Sequence, residues 1–403
     1  MLPTVPEEPH APDAVLRLPL HDTQEPELSI VIPALNESLT IELFVDWCKE
    51  GLAHADVVGE ILIVDSSVDK TAELAVARGA RVLRVPKRGL GRAYIDALPF
   101  VRGRYVLMGD SDCTYDFREL GPFVAKLREG SELVMGSRFL GSIEDGAMPA
   151  LHRYFGTPLT TWILNVVFGS HFTDIHCGMR GLTRDALTRM ALTSQSWEYA
   201  SEMIVKSVHM GLRTAEVPIH FLKDRGGRES HHKRAGWRSP WEAGWTNLRA
   251  TFVHGAAFFL YRPGIAMALV GLALTVPLAL GPVKVGAFTA SLPCMLAGLT
   301  LTTLGLECAY LGIVAKVLVD YRGLVTATYL ARFAYTRTVV GAALVSLLGA
   351  GLAALAASGT ARAIPATHLA AIAALLLIAG FTTFTFVLVL HSITLATWRA
   401  RPG

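Results

Sequence analysis

Two aspartates one residue apart, Asp110 and Asp112, stand where the apolar run Tyr105–Met108 gives way to Gly109-Asp110-Ser111-Asp112. Side chains on an extended strand alternate between faces, so both carboxylates project to one side with Ser111 between them. Paired carboxylate oxygens suit a hard divalent cation, Mg2+ or Mn2+, which completes its shell from substrate phosphates and water. A solvated acidic turn is the commoner origin of such a pair, so the neighbouring strand ends matter. One apolar run ends in Pro33-Ala34-Leu35-Asn36-Glu37 and another in Val64-Asp65-Ser66-Ser67. Acids and helix N-termini at adjacent strand ends can hold the base and ribose of a nucleotide. Three polar strand ends in one sheet are hard to explain as accident.

A sheet must exist to gather these ends. The runs Leu28–Ala34, Glu60–Asp65, Arg81–Val85, Tyr105–Met108, Leu133–Met135 and Ala215–Phe221 read as strands. Several are near-continuous Val, Ile and Leu, the pattern of strands covered on both faces. Helical periodicity fills the gaps, over about 37–53, 69–78, 91–101, 117–129, 184–192 and 199–211. The alternation predicts an α/β fold, a mostly parallel Rossmann-like sheet between helices, with ligands at the carboxyl ends of its strands.

Of the 403 residues, 52% are apolar and 18% charged, and the charge is uneven. Residues 263–403 hold eight Lys/Arg and two acids, which leaves 29 basic and 32 acidic residues in 1–262. A soluble part without basic excess excludes a sequence-reading nucleic-acid binder. Residues 1–27 are rich in proline and acid and are expected as a flexible tail; they lack the basic start and apolar core of a signal peptide. Beyond Arg262 four long apolar segments, about 265–281, 292–313, 338–357 and 369–390, predict an α-helical transmembrane domain. With the soluble domain cytoplasmic, seven arginines and lysines fall at the cytoplasmic ends and only Lys284 and Arg362 on the far side, as the positive-inside rule requires. Glu307 falls inside the second segment, where an acid is costly. The aromatic and arginine-bearing stretch 237–262 suits the headgroup layer, and Gly156–Phe168, too short to span, reads equally as a core or an interfacial helix. Five scattered cysteines without a CxxC suit reduced thiols.

The motifs VIPALNE, IVDSSVDKT, RGLGRAY, MGDSDCTYDF, VMGSRF and TDIHCGMRGL follow one another in an order and spacing that resemble the family-two glycosyltransferases, which have the GT-A nucleotide-sugar fold. The later stretch SWEYASEMIVKSVHMGLRTAEVPIHF, followed by membrane helices, is similar to the polyprenyl-phosphate hexose synthases, such as the dolichyl-phosphate mannose and glucose synthases. The resemblance covers residues 28–262 and implies a catalytic GT-A domain over 28–236. It implies that Pro33, Ala34, Asn36, Glu37, Asp65, Asp110 and Ser111 line the nucleotide sugar, and that Asp110 and Asp112 hold Mg2+ or Mn2+ on its diphosphate. It assigns the lipid phosphate to Arg138, Arg153 with Thr157 one helical turn on, and Arg225, which begins an acceptor loop with Gly226–His232. Asp174 falls where the family has an acid; it reads either as a catalytic helper or as a structural cap of Ile175–Gly178. Thr114 stands where mannose synthases carry a metal-contacting Gln.

These assignments predict an inverting transfer of a hexose from UDP- or GDP-hexose to polyprenyl (undecaprenyl or dolichyl) phosphate. The expected partners are the two substrates and the bilayer, with no nucleic acid and room for a homo-oligomer. The expected location is the cell membrane, multi-pass, with the catalytic domain on the cytoplasmic face. Two other classes stand beside it. A processive polysaccharide synthase would show a QxxRW motif, which neither Gln24 nor Gln195 begins; a non-enzymatic nucleotide-sugar sensor of a transporter would need a richer polar pathway than these spans offer. His171, His176 and Cys177 lack the second pair of a zinc site, and Gly89-Leu90-Gly91 follows the third strand and lacks the third glycine of a dinucleotide fingerprint.

Overall fold

A computed structural model describes residues 14–224, 251–252, 255–360 and 364–399. The chain divides into two units, Met1–Thr251 and Phe252–Gly403.

In the first unit all six expected strands form, and two more join them. In chain order they are β1 (Val15–Arg17), β2 (Leu28–Ala34), β3 (Gly59–Asp65), β4 (Arg81–Arg84), β5 (Tyr105–Met108), β6 (Leu133–Ile143), β7 (Arg180–Thr183) and β8 (Thr214–Phe221). They make one sheet in the order β1-β4-β3-β2-β5-β7-β6-β8. β4, β3, β2 and β5 run parallel, whereas β7 lies antiparallel between β5 and β6. β8 runs parallel to β6, so six of the eight strands point the same way and only β1 and β7 are opposed: the sheet is mostly parallel, as expected, with two antiparallel insertions. β7 escapes a hydrophobicity reading because Arg-Gly-Leu-Thr is no apolar run; Gly181 is there so that the strand can lie against Phe123 and Leu127, 3.4 and 3.2 Å from its would-be Cβ.

The expected flexible tail is corrected over its second half. β1 pairs antiparallel with β4, Asp22 meets Arg102 at 2.8 Å, and Glu27 meets Arg128 at 2.6 Å. Prolines had masked a short edge strand and two ion pairs that only the folded partners reveal.

Alternating residues of β2 serve two cores. Ile30 and Ile32 pack with Ile41, Phe44, Val45 and Cys48 of the helix Ile41–His54, while Val31 faces Leu62, Tyr94 and Met203 on the other side. The helix residues recur at three- and four-residue intervals, so one stripe meets the sheet. Ile30, Ile32, Phe44 and Leu62 are wholly buried, each worth about 1.5–3 kcal/mol of transfer free energy. This covered sheet is what holds the strand ends rigid.

The second unit has four helices long and apolar enough to cross a membrane: Ala256–Thr275, Leu292–Leu318, Tyr335–Ser358 and a helix beginning at Ala366. The first starts nine residues before the expected 265 and runs through Pro263. It absorbs the end of the stretch expected to be interfacial; most of 237–262 lies outside the described residues. The first two helices meet along small residues. A Cβ on Gly305 would sit 2.3 Å from the Ala268 nitrogen, and one on Gly271 2.4 Å from that of Thr302, so the backbones touch. Association of this kind rests on close packing rather than on hydrophobicity, which lipid equals. Glu307 is exposed on the Leu292–Leu318 helix.

Candidate active site

The parallel register gathers the expected strand ends: Ala34 pairs with Asp65, Asp65 with Arg84, and Val31 with Met108. Asp65 is wholly buried, with one oxygen 2.9 Å from Arg84 and the other accepting from the Ser67 amide at 3.3 Å. Burial raises its pKa against the opposing pull of Ser67 and Arg84. Asn36, at φ 58°, and Glu37 stitch this loop to its neighbour. The Asn36 amide donates to Ser67 Oγ at 2.7 Å, Val68 N donates to Asn36 Oδ1 at 3.0 Å, and Glu37 N donates to Thr71 Oγ1 at 2.9 Å. Ser111 turns back to the first strand end, its hydroxyl donating to the Pro33 carbonyl at 3.3 Å; Ala34 lies beside it in that strand and is buried.

Asp110 and Asp112 follow β5 and are both partly exposed. Thr114 holds Asp112 in place: its amide and hydroxyl donate to Asp112 Oδ1 at 3.0 and 2.6 Å, across Cys113 in a left-handed conformation. Tyr94 donates to the Gly109 carbonyl at 3.1 Å behind them. A Cβ on Gly178 would lie 2.8 Å from Asp110 Oδ2, and the Gly178 amide donates to Tyr115 Oη at 2.8 Å. The turn from Asp174 to Gly178 therefore abuts the first aspartate, although 68 residues separate the two glycine and aspartate positions. Among the described residues no group of three or more metal-ligating side chains occurs. Two carboxylates with an open remainder fit Mg2+ or Mn2+, whose other ligands are phosphate oxygens and water.

Asp174 and Arg138 form a buried pair. The Asp174 carboxylate accepts from Arg138 Nε at 2.6 Å, Nη2 at 2.8 Å and the Arg138 amide at 3.2 Å. The guanidinium also stands 5.3 Å over the Phe221 ring. The capping alternative for Asp174 is thus corrected: its carboxylate turns to Arg138, not to the amides of Ile175–Gly178. Two of the guanidinium nitrogens expected to grip a phosphate face Asp174 instead. Glu216 supports the arrangement, accepting from the Thr173 amide at 2.8 Å and its hydroxyl at 3.0 Å. Arg180, 1% exposed, donates to the carbonyls of Ile175, Cys177 and Ala200, each at 2.9 Å, and so ties the turn to the helix Tyr199–Met210.

His176 and Cys177 serve this turn rather than a metal. His176 Nε2 lies 2.9 Å from Thr160 Oγ1, and burial pulls its pKa down to about 4, so the ring is neutral. Burial pushes the Cys177 thiol up to about 12, which leaves it unreactive. Arg153 lies in the turn His152–Gly156 with its guanidinium 5.4 Å over Tyr154, and Thr157 is buried at the start of the following helix. Arg225 and Gly226–His232 lie outside the described residues. Sequence reasoning gave no role to Arg84, Tyr94, Tyr115, Arg180 and Glu216, although all but Arg84 lie inside the motifs that carry the resemblance: Tyr94 in RGLGRAY, Tyr115 in MGDSDCTYDF, Arg180 in TDIHCGMRGL and Glu216 in the stretch that ends in PIHF.

Residues 29–190 match the glycosyl transferase family 2 profile. The low-salt glycan biosynthesis hexosyltransferase Agl6 of Haloferax volcanii is 36% identical over 298 residues, 73% of this chain and 70% of that protein. The dolichyl-phosphate hexose transferase of the same organism is 28% identical over 213 residues, 52% of this chain and 89% of that protein. Among solved structures, glucosyl-3-phosphoglycerate synthase from Mycobacterium tuberculosis, in complex with Mn2+, UDP-glucose and phosphoglyceric acid, matches with 24% identity and a TM-score of 0.43, over 56% of this chain and 80% of that one.

Proposed function

This chain belongs to glycosyl transferase family 2, with a GT-A domain ahead of four apolar helices, and from that premise we propose that it moves a hexose from a nucleotide sugar to a polyprenyl phosphate with inversion. One observation carries the reading: the turn bearing Asp174, and through it Arg138, lies against Asp110 at Gly178. A phosphate-orienting pair beside a diphosphate-binding pair is what such a transfer needs. The dolichyl-phosphate hexose transferase among the relatives, and helices long enough to stand in the acceptor's bilayer, support a lipid acceptor.

Asp65 and the braced loop of Pro33, Ala34, Asn36 and Glu37 receive the nucleotide, with Ser111 closing the neighbouring strand end. Asp110 and Asp112 would hold Mg2+ or Mn2+, which when bound supplies positive charge to the departing diphosphate. Arg138, pre-oriented by Asp174, acts with Arg153, Thr157 and Arg225 to hold the acceptor phosphate. A phosphate monoester has a second pKa of about 6, so at neutral pH it is largely a dianion and needs aim more than deprotonation. One phosphate oxygen attacks the anomeric carbon as the bond to the nucleotide diphosphate breaks, and the electron pair leaves with the diphosphate. A single displacement turns an α-linked donor into a β-linked lipid phosphate sugar. In this reading the GT-A domain faces the cytoplasm, where nucleotide sugars are made.

The test is purified full-length protein with Mn2+ or Mg2+, undecaprenyl phosphate or dolichyl phosphate, and a panel of labelled UDP- and GDP-hexoses. Label should enter the organic phase with one donor and only when lipid phosphate is present. An unlabelled organic phase with every donor overturns the reading.

A further inference from the structure

Glu307 puts a carboxyl group at the depth of the acyl chains. Its helix, Leu292–Leu318, has 27 residues, which at about 1.5 Å each leaves Glu307 about 22 Å from one end and about 16 Å from the other. A hydrocarbon core is about 30 Å thick, so a helix centred in it keeps Glu307 well inside. The side chain is exposed, and among the described residues it has no hydrogen bond or ion pair. Thr303 and Thr300, one and two turns earlier, donate to the carbonyls of Thr300 and Leu296 at 3.0 and 2.9 Å instead. Lys316 is about 13 Å further along the helix and sits 3.6 Å over the Tyr261 ring. An ionisable side chain is costly in hydrocarbon and persists where a partner meets it.

Two other faces of this helix are already engaged. Gly298, Gly305 and Gly312 admit the backbone of Ala256–Thr275: a Cβ on each would lie 2.8, 2.3 and 2.6 Å from backbone atoms of Gly271, Ala268 and Tyr261. Tyr310 stacks on Phe386 of the last helix, 4.0 Å between ring centroids. Glu307 follows Gly305 by two residues and so stands about 200° around the axis, on the side these neighbours leave open. Thr300, Leu304, Glu307, Leu311, Val314 and Leu318 line that side at alternating four- and three-residue intervals. The three leucines are 49, 50 and 57% exposed. A repeat averaging about 3.5 residues is the seam along which two helices wind together, and one polar residue within it fixes register and partner number.

The chemistry of Glu307 names the occupant. A neutral carboxyl carries both a donor and an acceptor, so two of them related by a two-fold axis satisfy each other. In a parallel pair of these helices each seam position faces its own copy. We propose that two copies of this chain associate in the bilayer along the Thr300–Leu318 seam, with Glu307 hydrogen-bonded to Glu307 of the partner subunit across the two-fold axis. The proposal rests on the membrane reading of the four helices and not on glycosyl transfer.

The test uses the full-length chain labelled at its C-terminus with a donor or an acceptor dye, both reconstituted into vesicles of phosphatidylcholine and phosphatidylglycerol. Energy transfer followed against lipid dilution gives the dissociation constant, and the unaltered chain should follow a dimer curve. Glu307→Leu should weaken association about tenfold, the worth of an interhelical hydrogen bond in lipid. Glu307→Gln keeps a donor and an acceptor and should stay within about threefold of the unaltered chain. Leucine suits a lipid-facing position, so the melting temperature of Glu307→Leu in detergent should not fall. In a Cys294→Ser/Cys308→Ser background, an oxidant should crosslink Leu311→Cys to its own copy. It should not crosslink Leu344→Cys, 62% exposed on the helix Tyr335–Ser358. A chain that stays monomeric at every dilution overturns the proposal, whether lipid or another protein then covers the face. A dimer indifferent to Glu307→Leu overturns it too, as does crosslinking through position 344 alone. Transfer activity is not read, so failure of the functional reading leaves the outcome untouched.

Discussion

Gly178→Ala probes the junction of the two halves of the site with one methyl group. Gly178 is not among the glycines with positive φ, so alanine suits its backbone. The new Cβ would lie 2.8 Å from Asp110 Oδ2 and 3.1 Å from the Tyr115 Cε2 and Oη atoms. Carbon and oxygen approach ordinarily to about 3.3 Å or more, so the carboxylate must retreat by about half an ångström. The retreating atom is a side-chain tip, so folding should survive, with a stability change within about 1 kcal/mol. Misplacing a reacting group by an ångström can cost about a hundredfold, so half that displacement predicts a loss of about tenfold in kcat/KM. The metal concentration giving half the maximal rate should rise in parallel. The assay is the initial rate of label transfer against Mn2+ concentration, with melting followed alongside. Gly156→Ala is the control, since its Cβ meets the Leu151 carbonyl oxygen at an ordinary 3.6 Å. If Gly178→Ala keeps the original rate and metal dependence, the position of Asp110 does not govern the reaction, and the argument from the turn fails.

The Arg138–Asp174 pair should behave as a unit. Asp174→Ala strands a buried guanidinium and should cost about 3–5 kcal/mol in unfolding measurements, whereas Arg138→Met/Asp174→Leu should recover most of that stability while transfer stays abolished; additive losses would argue against coupling. His176 gives a pH dependence whose sign is set by its low folded pKa of about 4 against an ordinary 6.5. Below 6.5 the unfolded chain takes up a proton that the folded ring refuses, so stability falls with pH, by about 2 kcal/mol between pH 7 and 5. Melting curves at the two pH values should show a smaller drop in His176→Gln, and an equal drop would remove His176 as the cause. In the second unit Gly305→Leu sets a side chain where a Cβ alone would lie 2.3 Å from the Ala268 nitrogen, so the helix pair must part. Lowered melting temperature and a polydisperse elution profile in detergent are expected, and unchanged behaviour would disprove the close seam.

The amino-acid sequence by itself determined the alternation of strands and helices, because strands covered on both faces must be continuous apolar runs such as Ile30–Ile32 and Ile61–Val64. It located the paired aspartates just past the end of β5, but because β5 stops at Met108 their direction is set by the turn that follows, where Thr114 holds Asp112, and not by the alternation of a strand. It also determined the four apolar helices, since a membrane-spanning length is written in composition, though the first begins at Ala256, ahead of its apolar run. Tertiary structure alone decided the rest. β7 is polar in sequence and became a central strand only because Gly181 fits beneath Phe123 and Leu127. Asp174 could cap its own turn or pair elsewhere, and the choice fell to Arg138, which the chain brings from 36 residues away. Arg84 beside Asp65, Glu216 under Thr173 and Gly178 against Asp110 are likewise contacts between distant segments. Periodicity records which face of an element is buried; it does not record what lies on the other side of the contact, and that is what orients a carboxylate or a guanidinium.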